Sequence, residues 1–287
     1  MIKILIWIIL FTSFSLSQEI DSLSNDIHSS ANTKLFADYL FCQKDYLRSS
    51  LEYQKYLNSV YNDTVEFKIA LSYQRISDYS TALEKFKAIT GKSTFYDASK
   101  FEFFKTEFLT EDYQALYSGS NKLKDNNYSY YRNLKQLVYA SYLFSGEHLT
   151  DTSSLKYFFT GDDLSKMEDF YSWKNNPPYK NSLIAAIMSA VIPGSGKIYA
   201  GQLEDGLTAF VVNGLFGYLA YSSFSHDHTF RGWLFSGLGA FFYAGNIYGS
   251  AAAAQIYNAK ISFDFVQSVR NFLGSKNYFS PDYNFCR

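Results

Sequence analysis

The decapeptide Lys44-Asp45-Tyr46-Leu47-Arg48-Ser49-Ser50-Leu51-Glu52-Tyr53 can be laid over Ser77-Asp78-Tyr79-Ser80-Thr81-Ala82-Leu83-Glu84-Lys85-Phe86. Its opening returns as Glu111-Asp112-Tyr113-Gln114-Ala115-Leu116, so the tyrosines stand 33 and 34 residues apart. Self-similarity at that period marks stacked helical hairpins, each too small to bury its apolar face alone. From about Ser30 to Phe170 no proline interrupts the chain, and apolar residues recur at spacings of three and four, the period of amphipathic helices. One further step reaches Ser145-Gly146-Glu147-His148-Leu149, where the pattern has faded.

The second unit, Phe67 to Ile89, resembles a tetratricopeptide repeat. Small Ala70 and aromatic Tyr73 fall on its first helix, Asp78-Tyr79 marks the turn, and Ala82 and Phe86 fall on the second. With Tyr46 and Tyr113 of the flanking units, these are the expected packing positions. The first unit departs from the pattern with Ser49 and the third with Leu116, where alanine is usual; a splayed third pair is expected from the latter. The resemblance covers roughly residues 31 to 125, and a helical bundle with coincidental spacing is the alternative. It implies a binding scaffold whose concave surface takes a peptide or protein. Tyr39, Gln43, Lys68, Gln74 and Arg75 are expected to line that surface as exposed residues.

Beyond the repeats the chain changes character. Of 16 glycines, 11 lie between Gly194 and Gly249, and the 77 residues from Ser182 to Asn258 carry five charges, Lys197, Glu204, Asp205, Asp227 and Arg231. The four prolines are Pro177, Pro178, Pro193 and Pro281. Uncharged runs from Gly206 to Phe224 and from Gly232 to Tyr257 are long enough to cross a bilayer. A short polar loop, 225–231, joins them, and Tyr218, Tyr221, Phe224, Phe230 and Trp233 bracket it as aromatic residues do at a membrane–water interface. Close helix contact is expected at Gly245-x-x-x-Gly249, continued to Ala253 at the same spacing, and along Gly206, Ala209, Gly214 and Gly217. Asn213 and Asn246, near mirror positions about the loop, are expected to hydrogen-bond to each other, because a bare amide is expensive in hydrocarbon.

Ahead of the hairpin, Asn181 to Val191 reads as a short apolar helix that is half-inserted or interfacial, with a third full span as the alternative. Pro193 and its glycines then force a tight turn. The motif Pro193-Gly194-x-Gly196-x-x-Tyr199-x-Gly201 resembles small bacterial membrane families, among them the two-span module called TM2 and a Bacteroidetes-type group with this motif before a hairpin. It departs from TM2 in its long hydrophobic approach and in Lys197. The resemblance implies an integral membrane protein of the bacterial envelope.

Residues 1–17 read as a signal peptide, with an uncleaved anchor as the alternative. Lys3 supplies the positive start, Ile4 to Leu16 the apolar core, and Ser15-Leu16-Ser17 the cleavage site. The expected organisation is therefore a signal peptide (1–17), a tetratricopeptide-like helical repeat domain (18–175), a membrane-embedded hairpin module (181–258) and an amphipathic segment (259–287) with Ile261, Phe265, Val269 and Phe272 on one side. The expected fold class is all-α, a helical repeat array followed by a transmembrane helical hairpin. The location expected is the bacterial inner membrane, with the repeats in the periplasm.

Composition narrows the chemistry. Twenty-six basic against 27 acidic residues leave a net charge of −1, which gives no field for a polyanion, so nucleic acid is not an expected partner. Gly194-Ser195-Gly196-Lys197 looks like a phosphate loop but has Val191 where that loop needs glycine and Ile198 where it needs a hydroxyl, so no nucleotide is expected. His226-Asp227-His228 lacks a third metal ligand nearby and reads as a polar hairpin tip. Cys42 reads as a core residue, with pairing to Cys286 open only in an oxidising compartment. No catalytic residue, cofactor or metal is expected. The expected function is a non-enzymatic scaffold that recruits an envelope protein or peptide and rests in the lipid bilayer; the alternative is a membrane-active component, a small pore or insertion factor.

Overall fold

The computed structural model describes residues 29–123, 128–147, 149 and 152–286, so the expected signal peptide lies outside the described residues. The architecture is all-α, with no strand among the described residues. Two compact units emerge: one runs up to residue 150 and includes the segment from Ser275 onward, and the other is Asp151–Gly274.

The first unit begins with three helical hairpins: α1 (Ser30–Cys42) with α2 (Tyr46–Leu57), α3 (Asp63–Arg75) with α4 (Tyr79–Ala88), and α5 (Tyr96–Leu109) with α6 (Tyr113–Lys122). Helix α7 (Tyr131–Phe144) follows. The quoted sequence repeat is a repeat of turn geometry. Lys44, Ser77 and Glu111 take positive φ values of 64°, 63° and 61°. The next N–H, that of Asp45, Asp78 or Asp112, donates back to the carbonyl of Leu40, Tyr73 or Glu107 and closes the ending helix. The same aspartate opens the next helix: its carboxylate accepts from the N–H of Arg48, Thr81 or Ala115 at 3.3, 3.2 and 3.1 Å. Three residues thus stop one helix and start another. A left-handed non-glycine residue costs about 1–2 kcal/mol, which the paired caps offset.

Packing follows from side-chain size. Phe67, Ala70, Leu71, Ala82 and Phe86 form one buried cluster, Ala37, Tyr53, Val65 and Ile69 form another, and Tyr73 packs against both. Tyr46 meets Phe41 edge-on, and Tyr113 meets Phe108. Ser49 is buried with its hydroxyl 3.3 Å from that of Ser72, so the missing alanine is replaced by a polar contact of similar bulk. In the third pair Leu116 is buried, and close approach is supplied three residues on: a Cβ on Gly119 would lie 2.5 Å from the Phe104 ring.

In the second unit a 3₁₀ turn (Thr152–Tyr157) leads to α8 (Asp162–Asn175), then α9 (Ser182–Val191), the single turn α10 (Ser195–Tyr199), α11 (Leu203–Ser225) and α12 (Thr229–Gly274). The sequence reading placed α8 with the repeats; it belongs here, because Phe170 packs on Phe265 and Phe272, and Trp173 packs on Phe265. The expected separate amphipathic helix within 259–287 is likewise corrected. It is the continuation of α12, and α8 covers its Phe265 and Phe272.

Helices α11 and α12 form a hairpin closed by Phe216 stacked on Phe242 and Phe224 edge-on to Trp233. Helix α11 is long and apolar enough to cross a membrane, and little of it is buried. Helix α12 is less apolar, because Ser236, Tyr243, Asn246, Tyr248 and Ser250 dilute its uncharged run.

A segment-filled groove and a proline-glycine elbow

The first unit carries a groove along its helices α1, α3 and α5, and a segment of the chain itself lies in it. The segment runs against the repeat order. Phe279 meets Phe108 at the end of α5, and the amide of Asn133 donates to the carbonyl of Tyr278 at 3.2 Å. Tyr283 stands edge-on to Phe67, with centroids 5.0 Å apart, and Phe285 touches Phe41, Phe67 and Phe95. Cys286 is joined to Cys42, at the end of α1, by a disulfide. From Pro281 to Cys286 half-covered and exposed residues alternate, with Tyr283 and Phe285 turned inward and Asp282, Asn284 and Cys286 outward.

Two polar clusters floor the groove. Asp38 accepts from Lys34 at 2.7 Å, from Lys68 at 2.6 Å and from the Tyr53 hydroxyl at 2.5 Å. Burial alone would raise its pKa, but these bonds outweigh burial and hold the carboxyl below its ordinary value. The Lys68 ammonium also lies 4.8 Å from the centroid of the Phe285 ring, a cation–π contact. The second cluster centres on Glu102, which is wholly buried. One carboxylate oxygen pairs with Lys105 at 2.5 Å and accepts from Gln74 at 2.9 Å; the other accepts from the Tyr283 hydroxyl at 2.7 Å. Burial pushes the Lys105 ammonium below its ordinary pKa against the pull of Glu102. Burial, reinforced by the carboxylate of Glu102, raises the Tyr283 phenol far above its own. Nearby, burial lifts Glu107 to about 7, with Asp112 adding to the shift.

The residues expected to line an open surface divide accordingly. Tyr39, Gln43 and Arg75 are exposed. Lys68 and Gln74 are 5% and 4% exposed, because the segment and the neighbouring helices cover them. Sequence reasoning missed Glu102, Lys105, Tyr283, Phe285 and the covered state of the groove. The signals available for the last were the alternation Asp282-Tyr283-Asn284-Phe285 and the two cysteines.

The second unit holds the Pro193-Gly194 elbow, and each motif residue has a physical role. Gly194 takes φ +87°, and a Cβ there would lie 1.9 Å from the carbonyl oxygen of Gly206. A Cβ on Gly196 would lie 1.8 Å from the Ala185 carbonyl. Gly201 turns at φ +84° beside Tyr257, and the Tyr199 hydroxyl accepts from the N–H of Asn181. Asn246 locks the turn: its oxygen accepts from Gly194 N–H at 3.0 Å and its amide donates to the Ser189 carbonyl at 3.3 Å. Ser189 Oγ also accepts from Gly196 N–H at 2.9 Å and lies 2.6 Å from Ser250 Oγ. At the elbow's base Lys180 and Asn258 exchange two hydrogen bonds, and the Lys180 ammonium lies 4.8 Å from the Tyr199 ring centroid.

Compared with known proteins, the chain matches no family model, no curated protein and no solved structure.

The expected Asn213–Asn246 pair does not form. Asn246 is taken by the elbow, while the Asn213 amide donates to the Ala209 carbonyl at 2.7 Å and leaves its oxygen buried without a donor. The small-residue seam is kept in part, with Gly206 in close contact and Ala253 buried beside Ala185, Ala200 and Ala254. A Cβ on Gly214, Gly217 or Gly245 would meet nothing within 4 Å, whereas one on Gly249 would meet the Lys197 side chain at 3.4 Å. Close contacts instead join Gly196 to Ala185, Gly194 to Gly206 and Gly232 to Phe224. Pro193 and Asn213 line a cleft of about 450 Å³ with Phe210, Phe216, Ser236 and Tyr243. His226, at the hairpin tip, is exposed, with its Nδ1 2.8 Å from the Ser222 carbonyl.

Proposed function

We propose that this chain is a non-enzymatic, membrane-anchored scaffold of the bacterial cell envelope. Its tetratricopeptide-like repeats bind an extended protein segment outside the cytoplasm, and its helical hairpin fixes them to the inner membrane. One observation carries this reading: the helices of the first unit hold a segment of chain through ring contacts and through hydrogen bonds to the wholly buried Glu102 and the half-buried Asn133. A surface that seats one extended segment has the chemistry to seat another.

The anchor rests on exposed apolar area. Leu207, Phe210, Val211, Leu215, Tyr218 and Tyr221 of α11 and Trp233 and Phe241 of α12 are all exposed, far beyond the patch a soluble surface carries. Cys42 and Cys286 share one folded unit, so chain crossing a bilayer between them crosses it an even number of times. That count favours α11 paired with the first part of α12 and counts against a third span. A disulfide also fits an oxidising compartment, in keeping with an exported repeat unit.

The test is membrane extraction with protease protection. The intact protein is expected to stay with vesicles through a carbonate wash, and protease added to inside-out vesicles is expected to spare both the repeats and a tag after residue 287. Release by carbonate, or digestion of the repeats from the cytoplasmic face, overturns the reading.

A second reading, a membrane-active pore or insertion factor, is favoured by the cleft beside Asn213 and its donorless oxygen. Asn213→Leu separates the two: a scaffold keeps segment binding, whereas a transport or insertion role fails.

A further inference from the structure

The groove is closed by a bond that chemistry can open. The disulfide joins the end of α1 to the far end of the groove-filling segment; Cys42 is half-buried, and Cys286 is exposed. The same segment places Tyr283 on Glu102 and Phe285 under Lys68, so it occupies the polar and aromatic positions that a second ligand would need. We propose that the segment 275–286 is the resident occupant of the repeat groove and that Cys42–Cys286 is its latch. Opened by a dithiol reductant, the groove accepts an extended segment of another chain with aromatic residues two positions apart, the first of them hydroxylated. This deepens the scaffold reading by naming its ligand and its control.

The chemistry balances. A thiolate of the reductant attacks the sulfur of Cys286, the more exposed residue of the pair, and Cys42 leaves as a thiolate and takes up a proton. The second thiol of the reductant then resolves the mixed disulfide and frees the Cys286 thiol. The reductant departs as a disulfide, having given two electrons and two protons. Latched, the segment cannot leave the groove. Unlatched, it stays tethered by the chain and competes at an effective concentration of roughly millimolar, so reduction turns a blocked groove into one that a strong or abundant ligand can win. The pattern on the page identifies that ligand: a hydroxyl for the open oxygen of Glu102 and, two residues on, a ring for the Lys68 ammonium and the faces of Phe41, Phe67 and Phe95.

The experiment uses the full chain in detergent and a fluorescent peptide with the sequence of residues 275–286, the terminal cysteine replaced by serine. Fluorescence anisotropy is read for the oxidised chain, the dithiothreitol-reduced chain, the Cys286→Ser variant and a chain ending after Gly274. The oxidised chain is expected not to bind. The shortened chain is expected to bind, and the reduced and Cys286→Ser chains to bind about tenfold or more weakly than it, given their tethered competitor. A peptide in which alanine replaces the phenylalanine corresponding to Phe285 is expected to lose at least about tenfold in affinity.

Equal binding to oxidised and shortened chains overturns the proposal, as does no binding to a shortened chain that keeps its helical circular dichroism. Should the shortened chain misfold, hydrogen exchange decides. Reduction must speed exchange of residues 277–286 in the full chain, and unchanged exchange overturns the latch. Carbonate release would sink the anchor and leave these outcomes untouched, so the two failures are distinguishable.

Discussion

Replacing Tyr283 with phenylalanine removes one oxygen atom and tests how much of the segment's hold is polar. The phenol donates to Glu102 at 2.7 Å, and the other oxygen of that buried carboxylate already serves Lys105 and Gln74. The substitution therefore strips a charged acceptor of the donor on that side and admits no water where Glu102 lies wholly buried. A hydrogen bond to a charged group contributes about 1.5–3 kcal/mol, while the ring, edge-on to Phe67, stays in place. At about 1.4 kcal/mol per factor of ten, docking of the segment should weaken by about 10- to 150-fold. The assay is hydrogen exchange by mass spectrometry over residues 277–286 in the reduced full chain, where protection reports segment docking alone. Tyr283→Phe is expected to lower protection by at least about tenfold, and in the oxidised chain by less, because the latch holds the segment near the groove. If reduced Tyr283→Phe exchanges like the reduced parent while Phe285→Ala does not, apolar contact alone seats the segment, and the polar half of the argument is refuted.

Two further expectations follow from the geometry. Gly194→Ala adds a left-handed alanine, at about 1–2 kcal/mol, and drives a Cβ into backbone that cannot rotate away, at about 1–3 kcal/mol more. Detergent-solubilised unfolding should show a loss of about 3 kcal/mol for it, and almost none for Gly214→Ala, whose Cβ meets open space. Glu107 binds its proton more tightly folded, with a pKa of about 7, than unfolded, where it titrates near 4.5. Its contribution is therefore most favourable at low pH, is lost as pH rises from 4.5 to 7, and stays lost above. With solvent screening discounted, Glu107→Gln should stabilise the repeat unit by about 1–2 kcal/mol at pH 8 relative to pH 4.5; parallel pulse-proteolysis curves for the two chains across that range would contradict the assignment.

What could be read from the sequence was what neighbouring residues decide among themselves. The Asp45, Asp78 and Asp112 turns were visible because stop and start signals sit within three residues of each other. Ala70, Ala82 and Phe86 were visible because close packing leaves small and aromatic residues at helical spacing. Lys68 was misread as exposed because part of its covering comes from a segment some 200 positions later in the chain, and Gln74 because α5 covers it from the next hairpin. The Asn213–Asn246 pairing failed for a related reason. Mirror symmetry about a loop considers two helices, and a third element, the Gly194 elbow, offers Asn246 an N–H that α11 does not. Gly245 and Gly249 show the limit of a small-residue pattern, which announces that close approach is possible and leaves open what approaches.

The bond from Cys42 to Cys286 makes everything between them a covalent ring. A single peptide cut anywhere in that ring leaves the fragments linked, so a nicked molecule should run as one band on a gel without reductant and as two with it. The ring also cannot close until Cys286 has emerged from synthesis and reached the compartment that holds Cys42. The groove of a newly made molecule is therefore vacant at first, and the order in which its own segment and a foreign one arrive becomes a matter of timing.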